Sequence, residues 1–202
     1  MFKKIGILTI LMCIAISMYA KVPLKDHLKL KGVNKGWFMG AGVGTQFYVG
    51  DSDNLQKTGY RFSTAMEGNV GKWITPSIAA RLQGTLARVT GGDIQEKPDA
   101  MNLINIHADC MVDVLNFFMG IDENRKFTVL PYMGFGCASS IDRKETCFSF
   151  NVGATALFRI SPDIHLFTEL KGSLLNDKMD GLVGGSKGEG STVLSAGFTF
   201  NF

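Results

Sequence analysis

Beyond its first twenty residues the chain has no apolar run long enough to cross a membrane as a helix, and it is poor in charge, histidine and cysteine. A spanning helix needs about 20 consecutive apolar residues, so helical anchors are excluded from residue 21 onward. Charged residues make up 19% of the chain, below the roughly 25% usual for a soluble domain. The net charge of +3 comes without a basic stripe interleaved with aromatics, so nucleic acid is not an expected partner. Three histidines and four cysteines show none of the paired spacings of a zinc site. No metal and no cofactor is expected. Cys13 lies inside the opening apolar run behind the bulky Met12, which argues against a lipoprotein site. Cys110, Cys137 and Cys147 are too few, and odd in number, for a disulfide scaffold.

The N-terminus carries a basic start (Lys3, Lys4), an apolar middle from Ile5 to Ile16, and a small, polar exit ending at Ala20. That order predicts a secretory signal peptide over residues 1–20. Residues 21–35 are then a periplasmic N-terminal extension, and residues 36–202 one all-β domain.

Alternation dominates this domain. From Gly36 to Val49 one face reads Trp37, Met39, Ala41, Val43, Thr45, Phe47, Val49, and the other Phe38, Gly40, Gly42, Gly44, Gln46, Tyr48. A period of two marks a strand, because a helix repeats every 3.6 residues. Further strands follow through Tyr60–Gly71, Ile78–Leu86, Ile104–Val114, Phe127–Ala138, Phe148–Ile160, His165–Leu174 and Leu194–Phe202. The glycine-rich fifth leaves its facing open. Short turns containing proline follow strands two and six, and longer polar segments follow one, three, five and seven: 51–58, 91–101, 139–146 and 176–190. The connection from Phe117 to Lys126 is long for a periplasmic turn. Eight antiparallel strands, with short turns at one end and long loops at the other, predict an up-and-down transmembrane β-barrel.

An eight-stranded barrel has an interior just wide enough for its own side chains. The small residues gather on the polar face and the bulky aromatics on the apolar one, so the polar face is expected inside and the phenylalanines against lipid. Trp37, Trp73, Phe158 and Phe202 at one end, and Phe47, Tyr60, Phe62 and Phe148 at the other, are expected to form two interfacial girdles.

The last strand, Phe198-Thr-Phe-Asn-Phe202, resembles the C-terminal signal read by the barrel-assembly machinery, which implicates Phe198, Phe200 and Phe202. Trp73-Ile-Thr-Pro-Ser-Ile-Ala-Ala-Arg-Leu-Gln83, His107-Ala-Asp and Asn124-Arg-Lys-Phe-Thr-Val-Leu-Pro-Tyr-Met-Gly134 resemble the porin-family, OmpA/OmpX-like outer-membrane barrels. The resemblance covers nearly all of the chain after residue 20. It implies integration in the outer membrane of a Gram-negative-type envelope. It extends to the barrel alone, with no periplasmic peptidoglycan-binding domain expected.

Arg61, Glu67, Arg81, His107, Asp109, Asp113, Arg159, Glu169 and Lys171 all fall on the inner face. Buried charges must be paired, so they are expected to form a packed ion-pair network, with Glu67 and Arg81 a cross-strand pair. A narrow, low-conductance channel is one alternative role for these groups. A lipid A-modifying enzyme is another: His107 and Asp109 share a face, but no serine nucleophile is placed beside them, His27 precedes the first strand, and His165 sits near the periplasmic end. Gly40, Gly42 and Gly44 precede no helix, so they read as lumen packing rather than a phosphate loop. Cys137 and Cys147 flank a loop as a disulfide would, yet fall on opposite faces. Expected partners are outer-membrane lipids, the barrel-assembly machinery, and lipopolysaccharide phosphates at Arg88, Lys57, Lys97, Arg143 and Lys144. The leading expectation is a non-enzymatic outer-membrane barrel with a structural or surface-interaction role.

Overall fold

The computed structural model describes residues 36–49, 62–91, 99–122, 124–142, 145–175 and 189–202. The expected signal peptide and N-terminal extension, Tyr60, Arg61 and the loop cations Lys57, Lys97, Arg143 and Lys144 lie outside them, as does the side chain of Phe62.

Eight strands form in chain order: β1 (Trp37–Val49), β2 (Phe62–Thr75), β3 (Ile78–Gly91), β4 (Asp99–Val112), β5 (Phe127–Ser140), β6 (Glu145–Arg159), β7 (Ile164–Leu175) and β8 (Glu189–Asn201). Each pairs antiparallel with the next, and β8 returns to β1, closing the barrel. Closure leaves no strand edge open, as a bilayer demands, because an unpaired backbone group there costs several kcal/mol. The seam holds to its end: Trp37 and Phe202 exchange both backbone hydrogen bonds at 2.9 Å. The strands run from 12 to 15 residues. At ~3.3 Å per residue and ~45° tilt that is about 28–35 Å of rise, enough for the ~25 Å apolar band of such barrels.

Alternation placed the side chains as expected. Outward residues such as Val43, Met66, Leu82, Leu86, Phe135 and Leu194 are each more than half exposed, on all sides of the barrel. The facing that the glycines of β5 left open is now settled: Thr128, Leu130, Tyr132 and Ala138 turn inward, Phe127, Phe135 and Cys137 outward. Small inward residues leave room for large ones opposite. A Cβ at Gly71 would strike the Phe38 ring, and one at Gly134 the Asp109 carboxylate.

Two connections depart from expectation. β5 and β6 run on to Ser140 and Glu145, so Ser139, Ser140, Glu145 and Thr146, read as part of a long loop, belong to the strands; Thr146 Oγ1 donates to Ser139 Oγ at 3.1 Å between them. β4 ends at Val112, and Val114 instead begins a helix, α1 (Val114–Met119). Asp113 is the N-cap of α1, accepting from Asn116 N at 2.9 Å, and Gly120 with φ 88° closes it. The long β4–β5 connection is therefore built around a helix rather than an extended turn.

Candidate functional site: a layered lumen

The inward side chains stack in layers along the barrel axis. At the periplasmic end Phe38, Trp73, Ala79, Met111, Leu130, Leu157 and Phe167 form an apolar cluster, with the Phe38 and Trp73 rings 6.0 Å apart. This corrects the girdle assignment of Trp73. It is 7% exposed, inside the barrel, because it continues the inward parity of Glu67, Asn69 and Gly71. Trp37, Phe148, Phe158 and Phe202 do lie exposed on the outer face, and Phe47 is half-buried there. Phe135 joins Phe148 and Phe150, and Phe127 joins Phe158, in outer-face aromatic contacts that no spacing rule singled out.

Above the apolar layer sits a charged one. Arg81 donates from Nη1 to Glu169 Oε2 at 2.6 Å and from Nε to Asp109 Oδ2 at 2.9 Å. Its guanidinium lies 4.4 Å from the centre of the Tyr132 ring. Glu169 also accepts from Tyr132 OH at 2.5 Å, Gln83 Nε2 at 3.1 Å and Thr155 Oγ1 at 2.8 Å. Both its oxygens are thereby saturated, as a buried carboxylate requires. His107 Nδ1 lies 2.6 Å from Asp109 Oδ1; since an ionised carboxylate only accepts, Nδ1 carries the proton. Lys171 contacts Thr85 and lies 3.9 Å from Glu67, whose other oxygen accepts from Ser195 Oγ at 2.7 Å.

Six of the nine predicted lumen charges thus come together: Glu67, Arg81, His107, Asp109, Glu169 and Lys171. The predicted Glu67–Arg81 pair is absent. Glu67 is registered with Thr85 and Arg81 with Gly71, so each finds a different partner across the lumen. Asp113 is not in the network either: it caps α1 and accepts from Thr128 Oγ1 at 2.6 Å at the periplasmic mouth. Arg159 is half-buried at that same mouth, beside His165. Tyr132, Gln83, Thr155 and Ser195 belong to the network and were missed, because neutral residues on an inward face carry no charge to flag them.

A third layer of amides and hydroxyls follows: Asn105 donates to Asn151 Oδ1 at 2.9 Å, Ser173 Oγ to the same oxygen at 2.6 Å, and Gln46 to Ser191 Oγ at 2.7 Å. Leu103, Ala138, Cys147 and Leu175 cluster above it. No disulfide joins Cys147 to Cys137, which faces outward. Two cavities among the described residues of the lumen measure about 20 and 10 Å³, on the scale of single waters. The exterior reverses this chemistry. Its exposed aliphatic and aromatic belt is far larger than a soluble monomer shows.

No known family model matches the chain. It is 30% identical over 194 residues to outer membrane protein 41 of Porphyromonas gingivalis, an alignment covering 86% of this chain and 49% of the relative. Outer membrane protein 40 of the same organism is 27% identical over 183 residues, covering 82% and 46%. The chain spans about half the length of these relatives. Among solved structures it superposes on Neisserial surface protein A with a TM-score of 0.59 at 15% identity, over 83% of this chain and 97% of the other. The outer membrane protein OprG of Pseudomonas aeruginosa gives 0.53 at 10% identity, over 86% and 99%. At such identities the superpositions speak for the fold alone. With the closed eight-stranded topology, the apolar belt and the outer-membrane relatives, they lead to one conclusion: this chain is an outer-membrane protein folded as a closed eight-stranded β-barrel.

Proposed function

We propose that the protein is a non-enzymatic, non-conducting barrel whose role is structural or lies in surface interaction. The carrying observation is the saturated Arg81–Glu169–Asp109 network seated on the Phe38–Trp73–Phe167 layer. Ions would need to displace both layers, and water-filled pores belong to barrels of ~16 strands. Catalysis has weaker support. His107 and Asp109 resemble a base with its orienting acid, but among the described residues His107 Nε2 has no hydrogen-bond partner where a nucleophile would stand.

On this reading the chain is exported by a leader over residues 1–20 and assembled through Phe198, Phe200 and Phe202, with lipid around it and lipopolysaccharide at its outer rim. The test is planar-bilayer recording of the folded protein, together with mass analysis of lipid A from cells that express it. A flat current and unaltered lipid A are expected. Unitary conductance steps, or a lipid A mass change lost in His107→Ala, would overturn the proposal.

A further inference from the structure

The charged layer of the lumen holds an unequal set of fixed charges. Three carboxylates, Glu67 on β2, Asp109 on β4 and Glu169 on β7, stand against two cations, Arg81 on β3 and Lys171 on β7. All five are at most 6% exposed. The inward faces of β1, β5, β6 and β8 add no charge at this depth, and Tyr132 of β5 is neutral, donating its hydroxyl proton to Glu169. Asp113, Arg159 and His165 lie beyond the Phe38–Trp73 layer, at the periplasmic mouth. Among the described residues, His107 is the one remaining group of the layer that can carry positive charge. Without it the layer would keep one excess negative charge sealed away from water, which is costly.

The unpaired atoms of the layer point to where a further proton sits. His107 is fully buried, with Nδ1 on Asp109 Oδ1 at 2.6 Å, and its Nε2 has no partner among the described residues. Gln83 stands directly opposite His107 in the β3–β4 ladder. It donates Nε2 to Glu169, and its Oε1 has no partner among the described residues either. Side chains so registered start from Cβ atoms about 4.5–5.5 Å apart. A neutral His107 with its proton on Nδ1 would set a bare ring nitrogen beside a bare carbonyl oxygen, two acceptors with no donor between them. An imidazolium donates from both nitrogens and matches both neighbours. Glu67 is the other place for a proton, since its Oε2 is unpaired as well. That oxygen, however, faces the Lys171 ammonium at 3.9 Å, and Oε1 accepts from Ser195 Oγ at 2.7 Å. Those surroundings suit an ionised carboxylate.

We propose that His107 is the third cation of the lumen, an imidazolium held between Asp109 and Gln83, and that its deprotonation is a pH switch on the stability of the barrel. Folding then retains a proton that an unfolded histidine releases above about pH 6.5. The folded state binds the extra proton, so stability falls as pH rises from there. This needs only the buried layer and is independent of any role at the cell surface.

The test is heteronuclear NMR of the full chain, labelled at its histidine nitrogens and folded in lipid nanodiscs at about pH 8, where a free imidazole is neutral. His27→Asn and His165→Asn identify the His107 signals by removing the others. Both ring nitrogens of His107 are expected to be protonated. A His107 ring with one bare nitrogen overturns the proposal and moves the proton to Glu67 or leaves the layer charged. Urea unfolding in vesicles between about pH 7 and about pH 9 reads the switch. The unfolding constant of wild type should rise more steeply than that of His107→Gln, by about tenfold per pH unit, the dependence one bound proton gives. Parallel profiles overturn the switch. Should His107→Gln not fold, the ring-nitrogen titration of wild type replaces it. Loss of the second ring proton must then coincide with the levelling of the stability profile, and a profile flat below that pH overturns the switch.

Discussion

Arg81 on β3 and Glu169 on β7 meet at 2.6 Å although 88 residues separate them. In a closed ring of eight strands, β3 and β7 are four apart, so this ion pair joins opposite walls of the barrel. Backbone hydrogen bonds link each strand only to its two neighbours. Arg81 adds a tie across the diameter, and Asp109 on β4 shares it at 2.9 Å. The pair is therefore part of what holds the lumen shut as well as part of what fills it.

Removing one partner should be far worse than removing both. Arg81→Met leaves Glu169 and Asp109 as buried, uncompensated carboxylates, and the expected loss is about 3–5 kcal/mol. Arg81→Met combined with Glu169→Gln should recover part of that loss. Tyr132→Phe removes one charge-assisted hydrogen bond and should cost about 1.5–3 kcal/mol. Urea unfolding of the protein in lipid vesicles measures all three, and equal stability of Arg81→Met and wild type would contradict the network's role.

The chain has two tryptophans, and the structure gives them opposite environments. Trp37 is 49% exposed on the lipid side, with Lys72 Nζ 5.2 Å from its ring centre, whereas Trp73 is buried against Phe38. Brominated lipids should quench a Trp73→Phe variant, which keeps Trp37, and leave a Trp37→Phe variant nearly unquenched. Trp73→Ala should also cost about 3–5 kcal/mol as a core cavity. Strong lipid quenching of Trp73 would return it to the girdle.

Strand number and the facing of every strand but the glycine-rich β5 were legible because alternation reports directly which side a residue faces. Partner identity was not. The Arg81–Glu169 contact depends on how far each strand is sheared against the next, and a period of two carries no information about shear. Trp73 shows which signal to trust: its parity with Glu67, Asn69 and Gly71 pointed inward, but its place at a strand end, where amphipathic rings gather, suggested the girdle. Parity won, since facing follows from the pleat and the girdle is only a preference. Asp113 also had the right parity, yet Asp113 with Asn116 three residues on opens a helix, and its carboxylate serves the cap.

Cys137 and Cys147 belong to adjacent strands but opposite faces: Ala138 is the residue registered with Cys147, and Phe148 the one with Cys137. A disulfide needs Cβ atoms about 3.8 Å apart and pointing toward each other. Gel mobility of the folded protein should accordingly be the same with and without reductant. Oxidation-dependent compaction, abolished by Cys147→Ser, would show that the hairpin rearranges.

Neighbouring positions on β3 separate a lipid-facing exterior from a water-facing one. Leu82 points out and is 52% exposed, whereas Gln83 points in and donates to Glu169. On a soluble barrel Leu82→Arg would be a surface change within about 0.5 kcal/mol of neutral. Against the bilayer the same change places a charge in the apolar band and should cost about 2–4 kcal/mol toward the midplane, less toward the rim. Arg88, six residues along on the same outward parity, already stands exposed, so the penalty must fall along β3 between the two. A series placing arginine at Leu82, Gly84 and Leu86 in turn, followed by urea unfolding in vesicles, should show that decline. A flat series near zero would mean that this face does not meet hydrocarbon.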